Sequence, residues 1–153
     1  MNAIDLLKAD HDRVSSLFEQ VKANEDDDNR DVFEQIKDEL EAHTHIEETI
    51  FYPKLKDEGD EELKDIVLEG VQEHSQVKTL LRELSDLVED SEVFKPKLKV
   101  LMENVEHHVQ EEEGEMFQLV EEQFDEEFLE ELGATMEAER QDFTGGRSSG
   151  ASA

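Results

Sequence analysis

The sequence predicts an all-α protein: an up-down-up-down four-helix bundle with a short helical extension at its C-terminal end. Three observations carry this. The 153 residues include only two prolines, and Glu, Leu and Lys dominate while β-branched runs are few, a helix-forming composition. Polar and Gly- or Pro-bearing stretches cut the chain into four long segments. Each segment carries one apolar stripe at alternating steps of three and four, the pattern of rods that bury a single face against one another.

The first helix is expected over 3–22. Asn2 serves as its N-cap, with Asp5 three residues on, and the inward stripe is Ile4, Leu7, His11, Val14, Phe18 and Val21. The polar run "ANEDDDN" (23–29) forms the first loop. The second helix, 30–56, presents Phe33, Ile36, Leu40, His43, Glu47 and Ile50, and Pro53 with "KDEGD" closes it. The third, 61–89, presents Val67, Gly70, His74, Val77, Leu81, Leu84 and Val88. "EDSEVFKP" ends it, and Pro96 suits the first turn of a fourth helix over 96–122. That helix turns Leu98, Leu101, Val105, His108, Glu112, Glu115 and Leu119 inward. Residues 1–122 then make the bundle, 123–143 an acidic helical extension, and the Gly/Ser-rich 144–153 a disordered tail.

Composition removes whole classes of function. With no cysteine there is no disulfide frame, thiolate metal site or thiol nucleophile. No apolar run approaches the length of a membrane span. The opening "MNAIDLLKADHDRV" is too charged for a secretory signal, so a cytoplasmic location is expected. Asp and Glu number 44 against 15 Lys and Arg, a formal charge of −29 that repels nucleic-acid phosphates and anionic membranes.

The apolar stripes run straight through ionisable residues. Each helix turns one histidine inward, His11, His43, His74 and His108, and helices two and four add Glu47 and Glu112 one turn after their histidines on the same face. Burying two carboxylates without cationic partners costs several kcal/mol each, against a domain stability of about 5–15 kcal/mol. No Lys or Arg shares the level of these residues; Lys78, at the edge of the third stripe, is the nearest. A dinuclear metal centre resolves the conflict. Imidazole with carboxylate suits iron, and also manganese or zinc. The Glu-x-x-His spacing of ferritin-like sites is absent, as is His-Glu-x-x-His. His45 and His107 fall off their stripes and are expected at the surface. The two halves also repeat: "DH" before "HTHIEETIFY" matches "EH" before "HVQEEEGEMF", which aligns His43 with His108, Glu47 with Glu112 and Tyr52 with Phe117.

Over roughly residues 3–122 the chain resembles the hemerythrin-like, or HHE cation-binding, family, on the motif His…His-x-x-x-Glu…His…His-x-x-x-Glu with the aromatic-Pro pair Tyr52-Pro53. The resemblance implies a four-helix bundle around two oxo- or hydroxo-bridged iron ions. Their ligands would be His11, His43, Glu47, His74, His108 and Glu112, with the glutamates bridging. It implies dioxygen, another small diatomic molecule or peroxide as the ligand. Oxygen carriers of the family have a further histidine where this chain has Lys78, and a second pair spaced by five residues rather than four. Glu115 or a water is expected to take the place of that histidine, with the Lys78 stem turned outward. Oxygen binding, sensing or iron handling is the leading expectation. A di-iron enzyme (a ferroxidase, or one that decomposes peroxide) and an interaction module with a structural metal are the alternatives.

Overall fold

The computed structural model describes residues 1–152, with side chains described through residue 145. The described residues are helical with short connections and contain no strand. Helix α1 spans Ala3–Ala23, and Asn2 caps it by accepting a hydrogen bond from the Asp5 amide at 2.8 Å. Asn29, in the left-handed region at φ 59°, turns the chain into α2 (Arg30–Ile46), and its amide nitrogen ties back to the carbonyls of Asn24 and Asp27. A π turn, Glu47–Phe51, carries α2 directly into α3 (Tyr52–Glu58). Asp60 then caps α4 (Glu61–Asp86) through the Leu63 amide. Helix α5 (Phe94–Glu111) follows, and a second π turn, Glu112–Met116, leads into α6 (Phe117–Gln123). Helix α7 (Glu126–Ser152) is the last described element.

Two expectations about helix ends are corrected. The second helix, expected to end at 56 with Pro53 helping to close it, runs two residues further. The proline sits in the first turn of α3, just past the π turn, where the backbone bonding pattern is already interrupted, and the helix runs on to Glu58. The third helix ends at Asp86, so Val88 is 74% exposed rather than inward. Arg30 pins the connection that follows, donating to the carbonyls of Leu87 and Glu89 while its guanidinium lies 4.1 Å from the centre of the Phe94 ring.

The segment expected as an acidic helical extension, 123–143, packs against the bundle helices. Helix α7 lies on α1 and α2 and buries Leu129, Leu132 and Met136. Gly133 allows the approach: a Cβ there would stand 2.4 Å from the Met1 carbonyl oxygen. The tail expected at 144–153 lies for the most part outside the residues whose side chains are described.

The core has two apolar clusters. One joins Leu7, Ile46, Phe51, Leu55, Val67, Phe117 and Val120 to the α7 residues. The other joins Val14, Phe18, Phe33, Leu40, Val77, Leu81, Leu98 and Val105. Between them, on the same inward faces, lie the buried His11, His43, Glu47, His74, His108 and Glu112. Among the described residues no helix is long and apolar enough to cross a membrane.

Candidate metal centre

Four helical faces deliver the polar layer. α1 and α4 each supply a histidine, His11 and His74. α2 and α5 each supply a histidine and, one turn on, a glutamate that opens a π turn. The carbonyls of Glu47 and Glu112 accept the wide-turn hydrogen bonds, from the Tyr52 and Phe117 amides. These turns correct the expected stripes. A π turn holds one more residue than an α turn, so every later position on the inward face moves by one. Phe51 is buried where Ile50 was expected, and Met116 and Val120 are buried where Glu115 and Leu119 were expected. Glu115 is exposed and is not among the grouped residues.

Two groups of candidate ligands adjoin and share one residue. Glu47, His74, His108 and Glu112 form the first, and His11, His43 and Glu112 the second, each with its nitrogen and oxygen atoms within 4.8 Å of one another. Glu47 Oε1 lies 3.1 Å from His43 Nε2 and 3.0 Å from His74 Nε2. Glu112 Oε1 lies 3.1 Å from His11 Nε2, and its Oε2 lies 3.3 Å from His108 Nε2. Each glutamate therefore stands between histidines of different helices.

Behind the histidines is a ring of carboxylates that the sequence reading missed. His11 Nδ1 lies 2.6 Å from Glu113, His43 Nδ1 2.8 Å from Asp10, His74 Nδ1 2.7 Å from Glu48, and His108 Nδ1 2.6 Å from Glu73. A carboxylate only accepts, so each Nδ1 carries the hydrogen and each Nε2 is left to face the centre. The ring obeys the sequence repeat. Asp10 and Glu73 precede the first histidine of each half, and Glu48 and Glu113 follow the glutamates. The conjunction of "DH" with "EH", and of Glu47-Glu48 with Glu112-Glu113, was the available signal. The Lys78 ammonium is 2.6 Å from Glu48 Oε1, on the outer side of His74, which agrees with its stem turning outward and removes it from the border of the centre.

The repeat is broken at one pair. The Tyr52 hydroxyl donates to Glu112 Oε2 at 2.6 Å and lies 3.4 Å from His74 Nε2, whereas Phe117, its counterpart, stacks on His11 with ring centroids 6.1 Å apart. Gly70 makes room for the phenol, since a Cβ there would be 3.0 Å from the hydroxyl. His45 and His107 lie away from the centre. His45 is 3.2 Å from Glu139 and stacks on Phe143, and His107 is an exposed partner of Glu111.

The metal-free electrostatics show what the centre demands. Burial alone would lower the His43 imidazolium, but the Glu47 charge and the hydrogen bonds to Asp10 and Glu47 raise it to about 10. Burial opposes His108 too, and Glu112 with Glu73 raises it to about 11. Burial would push Glu112 up, yet His108 and His11 bring it well below the carboxylate range. A positive charge is required here, carried by protons or by metal. The donors fit a metal. Nε2 of His11, His43 and His108, both Glu47 oxygens and Glu112 Oε1 are buried and lack a hydrogen bond of good geometry. Nitrogen and oxygen lone pairs pointed at one another are repulsive unless a cation stands between them.

The model of the Hemerythrin HHE cation binding domain matches residues 2–120. The chain belongs to the hemerythrin HHE cation-binding family. This HHE chain is 30% identical over 159 residues, 99% of its length, to a DNA nickase of Nostoc sp., and 30% identical over 124 residues, 80% of its length, to an uncharacterized hemerythrin-like protein of Schizosaccharomyces pombe. It spans only 43% and 61% of those relatives' lengths. Its fold is similar to the crystal structure of a hemerythrin HHE cation binding domain-containing protein from Mycobacterium kansasii, a homologue of Rv2633c, with TM-score 0.80 at 24% identity over 95% of this chain and 89% of that one.

Proposed function

We propose that this HHE domain is a non-heme di-iron protein that binds dioxygen or a related small molecule, acting in oxygen binding, sensing or iron handling. The observation that carries the reading is the set of buried Nε2 and carboxylate atoms without hydrogen bonds, distributed over two groups that share Glu112. Six donors exceed what one tetrahedral ion takes. We read His11, His43, Glu47, His74, His108 and Glu112 as the ligands, within an up-down-up-down bundle of four rods. Two iron ions there, oxo- or hydroxo-bridged, would supply electron transfer to a small oxidant.

The chain's own residues set what can reach that place. A cavity of about 20 Å³ is lined by the four histidines with Val14, Leu40, Thr44, Val77, Val105 and Val109. A single water needs about 10–15 Å³, so the space has room for a small guest of that size. Phe18 and Phe51 pack in the apolar clusters, and Phe117 stacks on His11. The apolar wall excludes further water, and the Tyr52 hydroxyl holds Glu112 by a charge-assisted hydrogen bond. The formal charge of −29 disfavours nucleic-acid and anionic-membrane partners.

Anaerobic loading with ferrous iron, metal analysis, and absorption spectra before and after air test the reading. Two irons per chain with an oxygen-dependent band are expected. A band that vanishes on deoxygenation marks reversible binding, and irreversible oxidation marks sensing or enzymatic turnover. One metal at saturation would refute the dinuclear centre.

A further inference from the structure

The four carboxylates behind the histidines are not held alike. Asp10 is 1% exposed and takes three donors: His43 Nδ1 at 2.8 Å, the Arg13 guanidinium and the Arg140 guanidinium. Arg13 engages Oδ1, while Arg140 engages Oδ2, the same oxygen that accepts from His43. Glu73, the counterpart of Asp10 in the other half, is a quarter exposed and faces Glu111 and His107 rather than an arginine. Arg140 belongs to α7, outside the four rods that carry the candidate ligands.

We propose that Arg140 is a positioning residue for the metal on the His11–His43 side: by fixing Asp10 from α7, it holds the orientation of His43. This rests on the dinuclear reading above. A carboxylate saturated on both oxygens by guanidinium groups cannot rotate, so the His43 ring it holds cannot rotate either. His108 lacks that restraint, since its carboxylate, Glu73, is a quarter exposed and meets no arginine. The two metal positions are thereby unequal, and the inequality is written in a helix that touches neither metal. Neighbouring contacts seat α7 at this level: His45 Nε2 lies 3.2 Å from Glu139 Oε2, and its ring stacks on Phe143 with centroids 4.2 Å apart.

The test is the release of ferrous iron from the full-length, anaerobically loaded protein into excess chelator. Two phases are expected from the natural sequence. Arg140→Gln should accelerate one phase about tenfold, the effect expected from loss of an outer-shell partner, and leave the other unchanged. Arg140→Lys, which retains the charge, should recover most of the loss. Glu139→Ala, which disturbs α7 at His45 and spares Asp10, should leave both phases alone. Unchanged release in Arg140→Gln overturns the proposal. So does equal acceleration of both phases, which marks general loosening. If the natural chain holds a single iron, the dinuclear reading fails by itself. Arg140→Gln then still decides: faster release with lysine rescue supports the role of Arg140, and unchanged release refutes it.

Discussion

The contact between Gly70 and Tyr52 yields a prediction with a sign that can be worked from the structure. In the middle of α4, replacing glycine by alanine gains about 1 kcal/mol of helix propensity. Here the added Cβ would stand 3.0 Å from the Tyr52 hydroxyl and 3.3 Å from its Cζ. The ring is 1% exposed, and its hydroxyl is fastened to Glu112 at 2.6 Å, so it has nowhere to retreat. Overpacking of this kind costs about 1–3 kcal/mol, so Gly70→Ala should range from neutral to about 2 kcal/mol destabilising. Tyr52→Phe removes the obstructing oxygen and, separately, a hydrogen bond to a carboxylate, a loss of about 1.5–3 kcal/mol. In the Tyr52→Phe background the alanine keeps its propensity gain and loses most of its clash. Gly70→Ala should there be neutral to stabilising. Urea denaturation of the four proteins in this cycle, at equal metal content, should give a coupling of at least about 1 kcal/mol. Additivity within about 0.5 kcal/mol would mean that Gly70 is not there to admit the hydroxyl, and the account of the Tyr52–Phe117 asymmetry would fall with it.

Three further outcomes are expected. His108→Ala should lose at least one iron by elemental analysis while His107→Ala keeps both; the reverse would show the register of α5 to be wrong by one residue. Glu115→Ala should leave the spectrum and the metal content of the loaded protein unchanged, since the π turn carries that side chain outward; a shifted absorption band would contradict it. Chelator-treated protein should lose thermal stability on both sides of neutrality. His43 and His108 are raised to about 10 and 11, so their contribution is full below the ordinary histidine value of 6.5 and disappears as pH rises through 10–11. Glu48, where burial is outweighed by His74 and Lys78, is lowered to about 2, so its contribution holds above 4.5 and disappears as pH falls towards 2. A melting temperature flat from pH 7 to 10.5 would refute the imidazolium–carboxylate account.

Periodicity by itself determined that the chain is helical and that His11, His43, Glu47, His74, His108 and Glu112 are buried. It could do so because a helix repeats its geometry every turn, and one stripe of side chains records the phase. That record fails where the turn changes size. The π turns at Glu47 and Glu112 leave no mark in composition, and only the backbone bonds from the Tyr52 and Phe117 amides reveal that Glu115 and Ile50 have given up their places to Met116 and Phe51. Tertiary structure alone decided the partners. In a chain with 44 acidic residues, nothing local separates Asp10, Glu48, Glu73 and Glu113 from the rest, because each supports a histidine on another helix. The seating of α7 was likewise illegible. Its stripe is short and acidic, and what holds it is Gly133 against the N-terminal backbone and Arg140 on Asp10, contacts between segments more than a hundred residues apart that exist only once the chain has folded.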